Sequence, residues 1–319
     1  MPFKLIFLPI ILFFMKFRHL ILFSIASLLL INNAFSDSEH NQETSVQDYY
    51  SLLKMSYEDR DFVALFNYCD IIIDEFANTP FVDDARYFKA LGYYQASDLS
   101  LANEGFTSYL KLSDTPNHFE EALNYKFKIA ERYRKGALRR MFRMKKSPKI
   151  APAKEDAIEI YDEIISSLPY HDLSARSLYG KGLIQILFED YRDAIETFQV
   201  LVKRFPKHEC SIDAYIEIAK TYQIQCKQKN LNPEMIALSE LNLKRFNDQF
   251  PGEDRVKDVE KLVLEIKELF AKNLFRTGKF FERRKKKDAA IIYYKKIIVS
   301  FPKTETAQLC QQRLLKLQS

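Results

Sequence analysis

The chain has 319 residues and a formal net charge of +5; 47% of its residues are hydrophobic, 29% are charged, 7 are glycine and none is tryptophan. The hydrophobic content excludes wholesale disorder, and the charged fraction excludes a polytopic membrane protein. Because tight-turned β-sandwiches and barrels need more glycine than this, the composition predicts a soluble protein rich in helix.

Residues 1–36 have the features of an export signal. An apolar stretch over residues 20–31 follows a basic segment and precedes the small residues Ala34 and Ser36. Its length fits the about 7–15 apolar residues of a signal peptide and is short of the about 20 that span a membrane. We therefore expect a signal peptide over residues 1–36, with Met15 as the candidate true start. An uncleaved anchor that uses both apolar tracts is the alternative, and either interpretation places the rest of the chain outside the cytoplasm.

The remainder of the chain, after a polar linker over residues 37–45, has a helical repeat. In the two clearest units, positions 8 and 20 are small residues, position 24 is aromatic and position 32 is proline. These positions are Gly182, Ala194, Phe198 and Pro206 in one unit and Gly278, Ala290, Tyr294 and Pro302 in the other. Small residues let two antiparallel helices approach closely, the aromatic side chain packs between them, and proline ends the second helix. The pattern is that of the 34-residue tetratricopeptide repeat.

The repeat predicts an all-α tetratricopeptide-repeat (helix-turn-helix) solenoid over residues 46–319. We expect about six helix pairs and a C-terminal capping helix, whose polar residues suit the end of a solenoid. The pairs are 46–57 with 60–76, 80–96 with 98–112, 117–146 with 153–168, 171–187 with 190–205, 209–228 with 232–249, and 254–281 with 286–300; the capping helix is 304–317.

The sequence contains no motif for catalysis or metal binding. Phosphate-binding glycine loops, HExxH and GxSxG are absent, and none of the five histidines has a second ligand at metal spacing. Cys69, Cys210, Cys226 and Cys310 are far apart in sequence. We expect Cys69 to be a small buried hydrophobic residue, and a disulfide between two of the others stays open. We predict a protein that is not an enzyme and has no cofactor.

The charges are unevenly distributed along the chain. Ten basic residues and no acidic residue lie between Arg132 and Lys154, at the end of the helix expected over residues 117–146. Aromatic and methionine side chains among these cations predict a surface for a partner or an anionic membrane, whereas the alternative is a helix end whose cations complement the dipole. The candidate surface consists of Arg139, Arg140, Met141, Phe142, Arg143, Lys145 and Lys146. A second basic run, Arg283–Lys287, is expected to be a solvated turn, and the charge pattern does not predict a nucleic acid partner.

Two segments have features more specific than the general repeat. The unit Tyr93–His118 has a shortened turn over Ser97–Ala102, and Leu264–Ala307 combines an extended first helix with an AAI-containing second helix. In both respects the chain resembles the BamD family of outer-membrane protein assembly factors, also called YfiO or ComL, over most of residues 46–307. The resemblance implies a non-enzymatic scaffold on the periplasmic face of the outer membrane. Its N-terminal units would receive unfolded outer-membrane proteins, and its C-terminal units would dock the barrel subunit of the assembly machinery.

The chain departs from that family in two respects. BamD proteins are usually lipoproteins with a cysteine directly after the signal, whereas no cysteine precedes Cys69, and the unit around residues 209–250 is additional to the usual five. A second hypothesis is a soluble periplasmic adaptor in cell division or peptidoglycan synthesis, similar to YbgF-like proteins. Those carry an N-terminal coiled coil, for which residues 37–48 are too short and too polar. A cytoplasmic secretion chaperone is a third possibility and requires the signal-like leader to be a misassigned start.

Overall fold

The computed structural model describes residues 45–112, 116–141, 147–228 and 231–318. The expected signal peptide and nearly all of the expected linker lie outside these residues. The chain separates into two compact units, the first ending at Gly92 and the second beginning at Tyr93. The described residues form thirteen helices and one two-stranded sheet, so the protein has the expected all-α repeat fold.

The first unit contains α1 (Val46–Glu58), α2 (Phe62–Glu75) and most of α3 (Phe81–Gln95). The second unit contains the end of α3 and the following elements: α4 (Leu99–Leu112), α5 (Phe119–Arg134), β1 (Arg139–Arg140), β2 (Lys149–Ala151), α6 (Lys154–Ser167), α7 (Asp172–Leu187), α8 (Tyr191–Arg204), α9 (Glu209–Gln228), α10 (Glu234–Gln249), α11 (Val256–Arg283), α12 (Lys287–Ser300) and α13 (Glu305–Gln318). Twelve of the thirteen helices begin and end within two residues of the sequence prediction.

The prediction of a helix over residues 117–146 is wrong. Helix α5 ends at Arg134, and Gly136 then takes a φ of 102°, a left-handed conformation that ends many helices because glycine has no Cβ. The amide of Ala137 donates a hydrogen bond to the Arg132 carbonyl and closes the helix end. Beyond it, β1 and β2 pair as an antiparallel two-stranded sheet, in which Arg139 pairs with Ala151.

Close packing between the helices of the first unit depends on a glycine in α3. A Cβ on Gly92 would lie 2.6 Å from Leu65 Cδ2 and 2.9 Å from Phe66 Cε1. Leu65, Cys69 and Ile72 of α2 are fully buried in the core of this unit. The apolar residues of α2 recur at spacings of three and four, which places them on the face that packs against α1 and α3.

The second unit has one large core and a smaller terminal one. Phe198, Tyr215 and Phe246 belong to the large core, which is built from α7 to α11. The rings of Tyr215 and Phe246 are stacked, with their centroids 5.0 Å apart. The terminal core contains Tyr294 and Cys310 and joins α11, α12 and α13. Buried Ala307 and Cys310 of α13 therefore cover the last repeat, as a capping helix does.

Four turns between the two helices of a pair contain a non-glycine residue in the left-handed region. These residues are Arg60, Ser97, Glu189 and Lys285, with φ between 56° and 64°. This conformation brings Cβ close to the following carbonyl oxygen and costs roughly 1–2 kcal/mol for an L-residue.

Glu189→Gly should therefore raise the free energy of unfolding. The Glu189 side chain is exposed, so its removal leaves no buried gap. We expect a gain of about 0.5–1 kcal/mol, because relief of the left-handed strain exceeds the entropy that glycine adds to the unfolded chain. Urea unfolding of Glu189→Gly and Glu189→Ala makes the comparison at equal charge. A glycine variant no more stable than the alanine variant would contradict the explanation.

Candidate partner-binding surfaces

The repeat positions singled out in the sequence meet in the structure as glycine–aromatic contacts. A Cβ on Gly182 would lie 2.5 Å from Phe198 Cε1, and one on Gly278 would lie 2.6 Å from Tyr294 Cε1. Phe198 and Tyr294 are fully buried, as are Ala194 and Ala290 at position 20. The prolines, Pro206 and Pro302, each lie two residues beyond the end of the second helix. Each ring thus rests on the backbone of the facing helix, and this contact sets the spacing of the pair.

Where position 24 is tyrosine, its hydroxyl group needs a partner, and a glutamate supplies one. Tyr294 donates a 2.7 Å hydrogen bond to Glu282, and Tyr161 donates a 2.6 Å bond to Glu131. Arg313 of α13 also binds Glu282 at 2.8 Å, and its hydrogen bonds lower the pKa of that carboxyl group. Burial raises the pKa of the Tyr294 phenol, and the bond to Glu282 raises it further. These groups join the repeat to the capping helix and have no sign of a catalytic role.

The two-stranded sheet of β1 and β2 carries the described part of the candidate basic surface. Arg140 donates to Asp98 through Nε at 2.9 Å and to the Ser147 carbonyl oxygen at 3.0 Å. Arg139 forms a 2.8 Å ion pair with Asp156, and Lys149 donates to the Ser97 carbonyl oxygen at 2.7 Å.

These contacts correct the view that the basic segment lacks compensating acids. Its acids come from elsewhere in the sequence: Asp98, whose side chain is only 8% exposed, and Asp156. Met141 follows β1, and residues 142–146, with Phe142, Arg143, Lys145 and Lys146, lie outside the described part of the chain. A partner-binding role for the segment stays a prediction, and the structure gives Arg139 and Arg140 a role in holding the two-stranded sheet to α4 and α6.

A groove with an apolar floor lies between α8, α9 and α10. Its volume is about 710 Å³. Tyr215, Ile218 and Tyr222 of α9 form the floor and are almost completely buried. Leu238 and Leu241 of α10 form one wall and are 39% and 41% exposed. Two leucines that remain this accessible beside a concave apolar surface are typical of a site that a partner covers.

The polar residues of the groove are of two kinds: amide side chains that already form hydrogen bonds, and charged side chains at the rim. Asn242 donates to the Tyr215 carbonyl oxygen at 2.9 Å, and Gln249 donates to the Pro206 carbonyl oxygen at 2.7 Å. Lys203 and Arg245 on the rim are exposed and form no ion pair within the described part of the chain. The groove therefore offers apolar burial at its centre and a charged edge, where Asp248 accompanies the two cations. The sequence did not predict this groove because its residues come from three helices with ordinary repeat patterns.

A second opening, of about 680 Å³, lies between the N-terminal ends of α5 and α7. Its lining is mainly polar and includes Glu120, Glu121, Asp172 and Arg176. Asp172 forms an ion pair with Arg176 at 3.5 Å and lies 2.9 Å from His208 Nε2, so the charges of Asp172 and Arg176 are already compensated. The groove at α10 is the better candidate for an apolar partner segment.

The part of the chain that the structure describes offers few groups for metal binding or thiol chemistry. It contains no group of side chains placed to hold a metal ion. None of its helices combines the length and the hydropathy of a membrane-spanning segment. All four cysteines are free thiols, with Cys69, Cys226 and Cys310 buried. Burial raises the pKa of the half-buried Cys210 to about 11, which disfavours its thiolate at neutral pH.

Comparison with known proteins agrees with the repeat. The tetratricopeptide-repeat family model matches residues 176–208 and 272–304, which contain α8, α12 and parts of their partner helices. Together with the helix pairs, this match defines the chain as an all-α tetratricopeptide-repeat protein. Stacked repeats of this kind present extended surfaces for protein–protein interaction. None of the curated protein sequences compared with the chain is similar to it.

Several solved tetratricopeptide-repeat structures are similar to the chain at low sequence identity. A protein from Parabacteroides merdae is 17% identical, with 85% of this chain and 98% of that chain covered and a TM-score of 0.37. A thermophilic protein from Thermus thermophilus is 14% identical, with coverages of 69% and 100% and a TM-score of 0.31. PilF from Pseudomonas aeruginosa is 15% identical, with coverages of 84% and 97% and a TM-score of 0.31.

Proposed function

We propose that the protein is a non-enzymatic scaffold of the machinery that assembles β-barrel proteins in the outer membrane. It is exported, acts at the periplasmic face of that membrane, and binds substrate peptides and the barrel-forming subunit. The observation that supports this role is the resemblance to the BamD family in two segments whose helices have the expected lengths. The turn between α3 and α4 has three residues, and α11 has 28.

A scaffold needs stable surfaces rather than reactive groups, and the second unit has the required features. Its core holds α8, α9 and α10 in a fixed arrangement through buried Phe198, Tyr215 and Phe246. The groove on these helices combines an apolar floor with the exposed wall of Leu238 and Leu241. A helical or extended segment can bury apolar side chains there while its polar side chains meet the rim, which is a common mode of peptide recognition.

Affinity purification of the tagged protein from cross-linked cell envelopes tests the proposed function. We expect a large barrel-forming outer-membrane protein among the cross-linked partners, with the scaffold in the membrane fraction. Recovery of division or peptidoglycan-synthesis proteins instead would favour the adaptor hypothesis. A protein that fractionates as soluble and yields no envelope partner would contradict the scaffold role.

A charge placed in the groove should weaken the capture of partners. Leu238→Asp with Leu241→Asp puts two carboxylates on the wall, where a bound apolar segment would have to bury them. We expect at least about a tenfold loss of the recovered partner, because burying even one poorly compensated polar group costs on the order of 1–3 kcal/mol. Leu187→Asp with Leu315→Asp, at two exposed positions outside the groove, adds the same charge as the control and should leave recovery unchanged. Equal recovery with both variants would exclude the groove as the docking site.

A further inference from the structure

The outer face of α12 combines exposed aliphatic side chains with lysines. Ala290, Tyr294 and Ile297 are fully buried in the terminal core. On the other side of the helix, Ile292 and Val299 are 66% and 80% exposed. These two residues are seven positions apart, so they share one face and are separated by about 10 Å along the axis.

Basic residues lie near this aliphatic pair on α12 and in the segments on either side of the helix. From residue 283 to residue 303 the chain carries eight lysines and arginines and a single acid, Asp288. The eight are Arg283, Arg284, Lys285, Lys286, Lys287, Lys295, Lys296 and Lys303, and all of them are exposed. We refer to these residues, with Ile292 and Val299, as the α12 basic face.

The cations of the α12 basic face are not neutralised by the protein. None of the eight forms an ion pair with another described residue, and Arg284 alone has an aromatic partner, Phe280, at 4.9 Å. The two-stranded sheet differs in this respect, because Arg139 and Arg140 are held by Asp156 and Asp98. Eight like charges within one helix and its flanking turns repel one another, so an anionic partner would be attracted strongly.

The shape of the face favours one class of anionic partner. Lys287, Lys295 and Lys296 lie on α12, which is about 21 Å long, and the other five cations lie just before or after it. None of the eight lines either of the two openings described above. A fluid anionic surface can match scattered cations without fixed positions for its own charges. Ile292 and Val299 project between the lysines, as apolar residues do in helices that lie at the boundary of headgroups and acyl chains.

We propose that the α12 basic face docks the protein on anionic phospholipid. The lysines approach the headgroups, and Ile292 and Val299 enter the interface between them. Each basic residue near an anionic surface raises affinity by about fivefold at low salt, and screening reduces the effect over a Debye length. This contact does not depend on the proposed assembly function, because it needs only the membrane surface.

Sedimentation of the full chain with vesicles tests the proposal. Vesicles of equal parts phosphatidylglycerol and phosphatidylcholine are compared with vesicles of phosphatidylcholine alone, at low and high salt. We expect tighter binding to the anionic vesicles, with the difference lost at high salt. The same affinity for both vesicles at low salt would overturn the proposal.

Variants assign this binding to the α12 basic face. Replacement of Lys286, Lys287, Lys295, Lys296 and Lys303 by Gln should lower the affinity for anionic vesicles by about a hundredfold or more. A control with the same net charge replaces Lys111, Lys207, Lys227, Lys244 and Lys261, which are exposed and scattered over other elements. The control should keep most of the binding. If the two five-residue variants bind equally, net charge alone is responsible and the proposed surface is wrong.

The aliphatic pair distinguishes a lipid surface from an acidic protein. Ile292→Ser with Val299→Ser keeps every charge and should weaken vesicle binding several-fold, because two side chains no longer enter the interface. Circular dichroism of each variant confirms that the helices remain. Vesicle binding that this variant leaves unchanged, or a parent that binds polyglutamate but no anionic vesicle, would overturn lipid docking.

Discussion

Gly182→Leu should destabilise the fourth helix pair more than any other single apolar substitution proposed for this chain. Even a Cβ at this position would lie 2.5 Å and 2.6 Å from Cε1 and Cζ of Phe198, which is fully buried and has no free space to enter. Overpacking of this kind costs about 1–3 kcal/mol or more, and we expect about 3 kcal/mol for leucine. Urea unfolding followed by circular dichroism measures the change, and a midpoint equal to that of the parent would refute the glycine–aromatic contact.

A compensating substitution separates this contact from a general loss of backbone freedom. Gly182→Ala alone should be destabilising, and Phe198→Leu alone should leave a cavity and cost about 2 kcal/mol. In the double variant the smaller side chain gives the new methyl group room, so the combined loss should be smaller than the sum of the two single losses. Strict additivity would mean that Gly182 and Phe198 do not share one packing site.

Most of the fold could be predicted from the sequence because several positions of each repeat independently specify the same helix pair. Small, aromatic and proline residues at fixed positions specify where helices approach, pack and end, and the bounds of twelve helices followed from them. The predicted C-terminal end of α5 was wrong because the basic run beyond Gly136 was interpreted as helical. That glycine was itself the signal that ends the helix. The acids that pair with Arg139 and Arg140 are distant in sequence, so local charge counting missed them.

The candidate surfaces were less predictable than the fold. The groove depends on which side chains of α8, α9 and α10 remain exposed after packing, and exposed Leu238 and Leu241 look like ordinary helix residues in the sequence. The basic run Arg283–Lys287 was expected to be only a solvated turn. Its significance comes from Lys295, Lys296 and the exposed aliphatic residues, which follow it on α12.

Glu163→Gln should lower the free energy of unfolding, because Glu163 is the counter-ion of a buried lysine in the third repeat. Lys126 is fully buried and binds Glu163 Oε2 at 2.8 Å and Asn103 Oδ1 at 2.9 Å, with a further hydrogen bond to Thr107. Loss of the carboxylate leaves an ammonium group in the core without its counter-ion, at a cost of roughly 2–4 kcal/mol. The double variant Lys126→Met with Glu163→Gln removes the buried charge as well and should be distinctly more stable than Glu163→Gln alone.

The pH dependence of the Glu163→Gln effect identifies the buried charge as its cause. Burial lowers the pKa of Lys126, and the nearby Glu163 carboxylate opposes this shift, so the variant should lower the pKa further. Between the folded pKa and the unfolded value of about 10.4, the unfolded chain binds more protons, and stability therefore rises with pH. The destabilisation by Glu163→Gln should accordingly shrink as the pH is raised from about 7 toward about 10.

In the Lys126→Met background, the same substitution should have an effect independent of pH over this range, because no buried ammonium remains to lose its proton. Urea unfolding at several pH values measures both effects, and a pH-independent loss in Glu163→Gln would show that Lys126 is not the titrating group.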